Sequence, residues 1–360
     1  MAPRTKPFVS IIMPALNEEL HIRDAVTSVL PDAEVVDYEI MVADGGSTDR
    51  TCNIVLEIAG ANPRVRLIHN PKRIQSAGVN LGAVSAHPEA QYMLRADCHF
   101  HYPKGFAERC VATLEEHGVA SVVVPMLTVG STCMQEAFAA AQNSRLGNGG
   151  SAHRSLGKSG LVEHGHHAAF RRDVFLKLGG YDESFTHNED AEFDRRLVML
   201  GERIYLNSDL AVTYFPRTSF ESLARQYWWH GWGRAGTMIK HAIIPRLRQI
   251  LPPIVLLVCL TAALLSLLDA RFLAVPAIYV TACLAWGFIL ALRNRRICLA
   301  ASGVAAMVMH MSWASGFLTK VWRSRGDILA WRRRHNRSAL DQRDDTVAVN
   351  DSASKHRSGV

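Results

Sequence analysis

The sequence predicts an α/β protein with an open, mostly parallel sheet, followed by a C-terminal region of transmembrane helices. Two patterns support this prediction. In the N-terminal part, short apolar segments alternate with segments of helical periodicity, which is typical of such a sheet. Nearer the C-terminus, three uncharged stretches are each about as long as a helix that crosses a bilayer. The hydrophobic content of 48% excludes a disordered or collagen-like chain.

The predicted sheet starts with an apolar run, Phe8–Met13, which ends at Pro14 and has the composition of a buried parallel strand. The elements that follow are a helix over 18–30, a strand over 38–43, a helix after residue 49, a strand over 65–69, a helix over 75–86 and a strand over 92–94. Sheets of this kind bind ligands beyond the carboxyl ends of their strands. Asn17, Asp44 and Asp97 lie at such ends and mark the predicted site.

Two of these strand ends carry groups that suit a ligand. Asp44 is followed by Gly45 in a glycine pair that lets the backbone and the carboxylate approach a ligand closely. The alternative is that Asp44 only caps the turn. Asp97 and His99 offer a carboxylate and an imidazole, and a divalent ion that bridges a diphosphate needs a carboxylate ligand and open positions for phosphate oxygens. The alternative here is a solvated loop without a metal.

Two further groups of residues lie downstream. Glu189 and Asp190 precede a segment of helical periodicity, so they are expected at a helix N-terminus, where acids interact favourably with the helix dipole. The alternative interpretation is that one of them is a general base. Residues 226–234 contain four aromatic side chains just before the first apolar stretch, and an interfacial aromatic belt explains this pattern without any chemistry.

The cysteines and the N-terminus indicate the cytoplasm. The seven cysteines form no CxxC or other zinc spacing, and their number is odd. We therefore expect reduced cytosolic thiols rather than a disulfide scaffold or a structural zinc module. The N-terminal stretch Met1–Pro7 is short and polar, unlike a signal peptide, so the sequence assigns the first 240 residues to the cytoplasm.

The three apolar stretches predict a multi-pass membrane protein. They lie at about 250–268, 272–292 and 297–318. The expected organisation is a cytoplasmic domain over 1–240, a membrane domain over 241–320 and a tail over 321–360, and buried core helices of a soluble domain are the alternative. Arginines precede the first stretch and separate the second from the third, so both sets fit the cytoplasmic side. Three full crossings would put the basic tail outside, against the same rule, so either the third segment is re-entrant or interfacial or the rule fails here. We expect two to three spans and a cytoplasmic tail.

The net charge of +7 comes almost entirely from residues 320–337, which hold seven basic residues and one acid. The net positive charge therefore comes from one segment and does not indicate a nucleic-acid-binding fold, so we expect no nucleic acid partner. Trp322, Ile328, Leu329 and Trp331 are interleaved with these basic residues. This pattern suits a helix that lies on anionic membrane lipids.

Taken together and in this order, the motifs resemble those of the inverting family 2 glycosyltransferases, from about Val9 to Arg234. The matching motifs are Pro14–Ala15–Leu16–Asn17–Glu18, Asp44–Gly45–Gly46–Ser47–Thr48–Asp49–Arg50–Thr51, Arg95–Ala96–Asp97, Phe170–Arg171–Arg172, Gly179–Gly180–Tyr181–Asp182–Glu183 and Glu189–Asp190. Within the family, the sequence is most similar to the membrane-attached transferases of succinoglycan-type exopolysaccharide assembly, which also end in a few hydrophobic spans.

The resemblance implies a GT-A fold, which is Rossmann-like, with a nucleotide-sugar donor, usually a UDP-sugar, and a divalent metal, Mg²⁺ or Mn²⁺. The residues that it assigns to the donor are Pro14, Asn17, Glu18, Asp44, Gly45, Arg95 and Asp97. It also assigns Asp97 to the metal and Asp190, next to Glu189, to the catalytic base. Arg95 replaces the first acid of the family's DxD motif and becomes a candidate diphosphate contact. His99 stands where some lipid-phosphate sugar synthases have a second metal ligand.

The implied activity is transfer of a sugar from a UDP-hexose to a lipid-linked oligosaccharide at the inner membrane, in exopolysaccharide or cell-surface glycan synthesis, in association with other polysaccharide-assembly proteins. The candidate acceptor contacts are His166, His167, Gln226, Trp229 and Arg234. Gln226 and Trp229 match the family's Q-x-x-R-W element only loosely. Two alternatives are a sugar transferase that acts directly on polyprenyl phosphate, and a membrane-tethered nucleotide-sugar-binding or scaffold protein.

Overall fold

The computed structural model describes residues 6–150 and 157–326. Its strands are β1 (Phe8–Ala15), β2 (Asp37–Asp44), β3 (Val65–His69), β4 (Tyr92–Arg95), β5 (Phe100–His101), β6 (Ser121–Val124), β7 (Met126–Thr128), β8 (Gly160–Val162), β9 (His166–Arg171), β10 (Ile204–Leu206) and β11 (Val212–Tyr214). Its helices are α1 (Ile22–Val29), α2 (Thr51–Ala61), α3 (Gln75–Ser85), α4 (Phe106–His117), α5 (Cys133–Asn143), α6 (Arg145–Asn148), α7 (Arg172–Lys177), α8 (Glu189–Met199), α9 (Phe220–Lys240), α10 (Leu247–Leu265), α11 (Ala274–Asn294) and α12 (Ser302–Arg323).

Eight strands form one sheet in the order β3-β2-β1-β4-β9-β6-β10-β8, and β5, β11 and β7 form a second sheet. The first four strands of the chain pair in parallel, as the alternation of strands and helices predicts. β9 lies antiparallel between β4 and β6, and β8 is antiparallel to β10 at the edge. The predicted fold class, an α/β sheet domain followed by apolar helices, is confirmed.

Both faces of the main sheet are covered by helices. Val9, Ile11 and Met13 of β1 pack on one face with side chains from α1, α2 and α4. Ile12 points to the opposite face and packs with side chains from α3, α7 and α8. Because both faces are buried, β1 is a continuous apolar run in the sequence and shows no alternation of apolar and polar residues.

The first helix is shorter at its N-terminus than the sequence predicts, since α1 begins at Ile22. The residues before it are held by the loop that follows β2. The backbone N–H groups of residues 17–19 donate to side-chain oxygens of Ser47, Thr51 and Asp49. These hydrogen bonds replace the first turn of the expected helix and fix two neighbouring loops to each other.

Three helical segments near the C-terminus are long and apolar enough to cross a membrane, and they differ in their packing. In the segments Leu247–Leu265 and Ala270–Asn294, 11% of the most apolar window is buried, compared with 33% in Ile297–Arg323. No side chain from 301 to 321 is exposed, because α12 packs along α9. Gly231 of α9 and Gly316 of α12 permit this approach, since a methyl group on either would collide with a backbone carbonyl of the other helix.

One pair of cysteines corrects the expectation that all thiols are reduced. Cys133, at the start of α5, and Cys298, in the short turn after α11, form a disulfide with their Cα atoms 5.1 Å apart. The pair is separated by 165 residues in the sequence, so the spacing of the cysteines contains no sign of it. The disulfide joins the end of the second apolar helix to the sheet domain. Five cysteines in the described residues are free thiols.

Candidate active site

The carboxyl ends of β1, β2 and β4 meet at one edge of the sheet, as the sequence predicts. Ala15 at the end of β1 is paired with Asp44 at the end of β2. Asn17, which adopts a left-handed conformation (φ 57°), binds the loop after β2, since Thr48 N donates to its Oδ1 at 2.8 Å. The Sγ atom of Cys98 lies 3.4 Å from the carbonyl oxygen of Pro14 and links the loop after β4 to the same edge.

The Asp44 carboxylate holds the loop that follows it. Oδ2 accepts a hydrogen bond from Gly46 N at 2.8 Å, and both oxygens lie within 3.2 Å of Ser47 N. Burial acts to raise the pKa of Asp44, but the hydrogen bonds from Ser47 and Gly46 outweigh it and hold the pKa below its ordinary value. These contacts agree with the alternative interpretation of the sequence, in which Asp44 caps the turn. Gly45 closes the turn against β1, with its N–H 2.8 Å from the Ala15 carbonyl.

Arg95 lies inside the site and binds two of its acids. Its side chain is 7% exposed, with Nη1 3.0 Å from Oε1 of Glu189 and Nε 3.3 Å from Oδ1 of Asp97. Nη1 also donates to the hydroxyl of Tyr181 at 3.4 Å. The sequence suggests Arg95 as a diphosphate contact, whereas its guanidinium in the structure holds the two acids together.

Asp97 is the candidate metal ligand, and its carboxylate fits that role. Gln75 Nε2 donates to Oδ1 at 2.6 Å, and Arg95 binds the same oxygen, so among the described residues no hydrogen bond is made to Oδ2. Burial acts to raise the pKa of Asp97, but the charge of Arg95 outweighs it and keeps the group ionised. One ionised carboxylate with a free oxygen suits a hard divalent ion that takes its other ligands from phosphate and water.

His99, the candidate second metal ligand, already contacts an acid through its imidazole. Its Nε2 lies 3.0 Å from Oε1 of Glu18, so the imidazole is engaged by an acid of the loop after β1. In the ranges 6–150 and 157–326, no three His, Cys, Asp or Glu side chains form a group that could bind a metal by themselves. A metal at this site would therefore depend on the diphosphate of the substrate for several of its ligands.

Glu189 and Asp190 begin α8 and have different environments. Glu189 is 5% exposed and forms the ion pair with Arg95, and burial raises its pKa despite that arginine. Asp190 is partly buried, and its Oδ1 accepts a hydrogen bond from Ala191 N at 2.7 Å. Burial acts to raise the pKa of Asp190 as well, but several neighbouring side chains outweigh it and lower the pKa. These neighbours are His164, His167, Arg95 and Arg234. Asp190 is therefore a carboxylate at neutral pH.

Asp194, one turn after Asp190 on α8, is a buried residue that the sequence analysis missed. It is fully buried, with Oδ2 2.6 Å from His164 Nδ1 and Oδ1 2.7 Å from His167 Nε2. Gly165 N donates to Oδ2 at 3.3 Å. The helical spacing of four residues, which brings Asp190 and Asp194 to one face of α8, is the sequence signal that could have identified it.

The two histidines connect Asp194 to both arginines beside Asp190. Arg234 Nη2 lies 3.1 Å from Nε2 of His164, so the guanidinium donates to that imidazole. His167 Nδ1 lies 2.6 Å from the hydroxyl of Tyr181, which in turn receives the hydrogen bond from Arg95. His167 is a candidate acceptor contact in the sequence, and in the structure its side chain is completely buried in this hydrogen-bond network.

The other candidate acceptor residues have different neighbours. His166 interacts with Asp97 and Asp190, and burial lowers its pKa to about 4, which keeps the imidazole neutral. Gln226 donates to Tyr214 Oη at 2.9 Å, and its Oε1 is buried with no hydrogen-bond partner in the part of the chain that is described. Trp229 stacks on His187 with ring centroids 5.0 Å apart, directly before α8.

Comparison with known proteins gives a consistent result. Residues 10–179 match the family described as glycosyl transferase family 2. The succinoglycan biosynthesis protein ExoA of Rhizobium meliloti (strain 1021) is 42% identical over 324 residues, which cover 90% of this chain and 96% of that protein. The dolichyl N-acetyl-alpha-D-glucosaminyl phosphate 3-beta-D-2,3-diacetamido-2,3-dideoxy-beta-D-glucuronosyltransferase of Methanococcus voltae is 24% identical over 65% of this chain and 74% of its own.

A solved structure shares the fold. The mannosyltransferase PcManGT from Pyrobaculum calidifontis, in complex with GDP-Man and Mn²⁺, aligns with a TM-score of 0.53 at 18% identity and covers 89% of each chain. At this identity the likeness shows the fold alone. The sheet and its covering helices are therefore of the GT-A type, which the motifs in the sequence imply.

Proposed function

The chain belongs to glycosyl transferase family 2 and is a glycosyltransferase, and from this premise we propose that it is an inverting enzyme of cell-surface polysaccharide synthesis. In this proposal it transfers a hexose from a UDP-sugar to a saccharide carried on a membrane lipid. The 42% identity to a succinoglycan biosynthesis protein over nearly the full length of both chains supports the pathway class.

The observation that carries the proposal is an ionised carboxylate beside the donor edge of the sheet. Arg95 forms ion pairs with both Asp97 and Glu189, the residue directly before Asp190, so the candidate metal ligand and the candidate base belong to one small site. A carboxylate that stays ionised at neutral pH, next to a donor site, suits the removal of a proton from a sugar hydroxyl.

The mechanism is a single displacement. Asp190 takes the proton from the acceptor hydroxyl, whose oxygen attacks C1 of the donor sugar while the nucleotide diphosphate leaves from the opposite face. A general base in this position contributes about 10²–10⁴-fold to the rate. Glu189 does not serve as the base in this mechanism, because its carboxylate is bound by Arg95. An α-linked donor gives a β-linked product.

Two groups balance the charge that develops on the leaving diphosphate. Mg²⁺ or Mn²⁺, held by Asp97, would supply positive charge to the phosphate oxygens. The Mn²⁺ in the complex of PcManGT supports this assignment. Arg234 is the second group, since among the described residues its one hydrogen bond is to the imidazole of His164 and it makes no ion pair. Its remaining N–H groups are available to phosphate oxygens.

The function is tested with detergent-solubilised protein, radiolabelled UDP-hexoses and lipids extracted from cells that lack the protein. We expect label on a lipid-linked saccharide, loss of transfer in EDTA and recovery with Mg²⁺ or Mn²⁺. Label on polyprenyl phosphate would instead identify a polyprenyl-phosphate sugar synthase. Neither transfer nor donor hydrolysis with any UDP-hexose would contradict an enzymatic role and favour a binding or scaffold protein.

The apolar helices fit a membrane-associated protein, and we propose a cytoplasmic catalytic domain with two crossings, by α10 and α11. The first crossing begins where Arg246 pairs with Glu163, and the second ends where Arg296 pairs with Glu136, so both cytoplasmic ends are bound to the catalytic domain. The turn between α10 and α11 then faces the opposite side of the inner membrane.

The third apolar helix does not cross in this proposal. Near its start, Ala305 of α12 lies in one apolar cluster with Phe138 of α5, and near its end Lys320 lies against Gly236 of α9. Both α5 and α9 belong to the catalytic domain. His310, near its centre, lies 2.8 Å from the carbonyl of Leu146 in α6. A helix whose two ends contact the same cytoplasmic domain returns the chain to the same side, which supports an interfacial third segment. The predicted lipid-binding residues 328–331 lie outside the described residues.

This arrangement predicts the labelling of two single cysteine replacements. In spheroplasts, a membrane-impermeant maleimide should label Asp269→Cys, in the turn between α10 and α11, and should not label Gly326→Cys after α12. Both sites should react once the membrane is permeabilised, and the unmodified protein measures the background of native thiols. Labelling of Gly326→Cys in intact spheroplasts would show a third crossing.

A further inference from the structure

Gln75, the first residue of α3, binds one oxygen of the candidate metal ligand. Its Nε2 lies 2.6 Å from Oδ1 of Asp97, and Nε of Arg95 lies 3.3 Å from the same oxygen. A carboxylate oxygen has about two lone-pair positions, so these two N–H donors together fill Oδ1. Oδ2 receives no hydrogen bond from the residues that the structure describes. Of the two oxygens, Oδ2 is therefore the one that is open to a cation.

The backbone of Asp97 is fixed as well. The hydroxyl oxygen of Tyr102 lies 2.6 Å from Asp97 N and 3.3 Å from the Asp97 carbonyl oxygen. With the backbone held in this way, the carboxylate cannot exchange its two oxygens by rotation unless the hydrogen bonds from Gln75 and Arg95 break. The side chain therefore offers the same oxygen to a ligand at all times.

The start of α3 is held by its neighbours, so the amide of Gln75 reaches the carboxylate from a fixed position. Directly before the helix, Asn70 Nδ2 donates to the carbonyl of Ile74 at 2.9 Å. Directly after Gln75, the hydroxyl of Ser76 lies 3.3 Å from the carbonyl oxygen of Phe185. A side chain placed on such a fixed helix end can orient a ligand precisely.

The charges around Asp97 distinguish its two oxygens in the same sense. The guanidinium of Arg95 lies beside Oδ1 and is held there by its ion pair with Glu189. A metal cation is repelled by this guanidinium, so it approaches the carboxylate more easily at Oδ2. Gln75 is neutral, and it completes the hydrogen bonds of Oδ1 without adding a second cation or a second acid.

Binding through a single carboxylate oxygen affects which ion fits. Mg²⁺ and Mn²⁺ prefer octahedral oxygen ligands, and Mg²⁺ is commonly held by one or two carboxylates together with substrate phosphates and water. Ca²⁺ takes about six to eight oxygens and often uses both oxygens of one carboxylate. A carboxylate whose second oxygen is filled by N–H donors therefore favours the smaller octahedral ions.

We propose that Gln75 is a positioning residue of the metal site, which restricts Asp97 to one ligating oxygen and thereby makes the site select Mn²⁺ or Mg²⁺ over Ca²⁺. This inference rests on the proposed function, in which Asp97 holds the metal. It adds the residue that determines how the carboxylate binds and which ion is accepted.

The test measures metal binding without turnover. Gln75→Met keeps the length of the side chain and removes the N–H donor, and Ser76→Ala is the matched control, because it removes a hydrogen bond from the same turn of α3. Mn²⁺ is titrated into the detergent-solubilised full-length protein with saturating UDP, and free Mn²⁺ is followed by electron paramagnetic resonance, with a titration of UDP alone as the background. Ca²⁺ affinity is measured by displacement of the bound Mn²⁺.

We expect the ratio of the Ca²⁺ Kd to the Mn²⁺ Kd to fall about tenfold in Gln75→Met, since residues that orient a metal ligand typically affect metal affinity by about 10–100-fold. Ser76→Ala should keep the wild-type ratio. Gln75→Glu provides a second variant of nearly the same shape. It also lacks the N–H donor and adds an acid, so it should bind Ca²⁺ more tightly than the wild type does.

Equal ratios in the wild type and both Gln75 variants would overturn the inference. A parallel loss of Mn²⁺ and Ca²⁺ affinity in Gln75→Met would also contradict it, because Gln75 would then stabilise the loop without selecting the ion. If the wild type binds Mn²⁺ with UDP but transfers no sugar, only the proposed function is wrong. If it binds no Mn²⁺ with UDP, the inference is wrong whatever the transfer assay gives.

Discussion

Replacement of Asp190 by Asn should lower kcat for sugar transfer by about 10²-fold or more, with little change in the melting temperature. The amide keeps the volume of the side chain, and its oxygen can still accept the hydrogen bond from Ala191 N. It cannot take a proton from the acceptor. A base acts in the transition state, so the KM for the UDP-sugar should change much less than kcat.

The neighbouring acid provides the control for this prediction. In Glu189→Gln the negative charge opposite Arg95 is lost from a buried ion pair, so this variant should lose stability while its kcat falls less than in Asp190→Asn. Steady-state kinetics and thermal unfolding of both variants separate the two roles. Near-normal turnover in Asp190→Asn together with inactivity of Glu189→Gln would assign the base to Glu189. Normal turnover in both would mean that the base lies elsewhere.

The sequence predicted that the strand ends with the candidate site residues meet at one edge of the sheet. The alternation of strands and helices determines that the strands after Phe8, Asp37 and Tyr92 run in parallel, and parallel strands bring their carboxyl ends together. Asn17, Asp44 and the residues around Asp97 therefore could be grouped before any contact was known. Local chemistry also made the turn-capping role of Asp44 predictable, because its partners are within three residues.

The sequence did not predict the contacts that connect distant segments. The ion pair of Arg95 with Glu189 depends on β9, which enters the sheet antiparallel to β4 and has no counterpart in the alternating pattern. A motif comparison assigns Arg95 to the diphosphate because it considers one position at a time. The Cys133–Cys298 disulfide was missed for the same reason, since it depends on the packing of the turn after α11 against α5.

Hydropathy alone could not distinguish the third apolar helix from the first two. All three segments have the length and composition of a membrane span. α12 differs from the other two helices in its close contact with α9, which Gly231 and Gly316 permit. Glycines in an apolar helix are equally compatible with packing inside a membrane, so they do not reveal this contact in the sequence. The conflict between three crossings and the basic residues is the sequence signal that favours the proposed interfacial placement of this helix.

Replacement of Asp194 by Asn should reduce both stability and catalysis, although Asp194 itself contacts no substrate. The carboxylate accepts hydrogen bonds from His164 and His167, and an amide can accept only on its oxygen. Its NH₂ group would face an imidazole N–H. Loss of one partner of a buried charged network costs about 3–5 kcal/mol, which should appear as a large fall in the melting temperature.

Catalysis should fall because Asp194 is a positioning residue for two arginines. His164 receives the hydrogen bond of Arg234, and His167 reaches Arg95 through Tyr181. When the imidazoles are no longer held, both guanidinium groups beside Asp190 lose their orientation. We expect kcat to fall at least tenfold while the KM for the UDP-sugar changes little, because the loop after β2 does not take part in this network.

Glu192 allows a stability effect to be distinguished from a positioning effect. It is another fully buried carboxylate of α8, but it binds Arg196, Lys240 and His241, which take no part in the hydrogen-bond network of Asp194. Glu192→Gln should therefore lower the melting temperature to a similar extent and leave kcat near the wild-type value at a temperature where both variants are folded. A similar fall in kcat in both variants would indicate general destabilisation.

A double-mutant cycle with Arg234→Gln tests the same point more directly. If Asp194 acts on catalysis through Arg234, then Asp194→Asn should lower kcat much less in a protein that already lacks this arginine. Full additivity of the two effects on kcat would show that Asp194 and Arg234 act independently. In that case the hydrogen bonds through His164 would stabilise the fold and have no effect on kcat. Strong non-additivity would instead make the buried carboxylate part of the machinery that stabilises the leaving diphosphate.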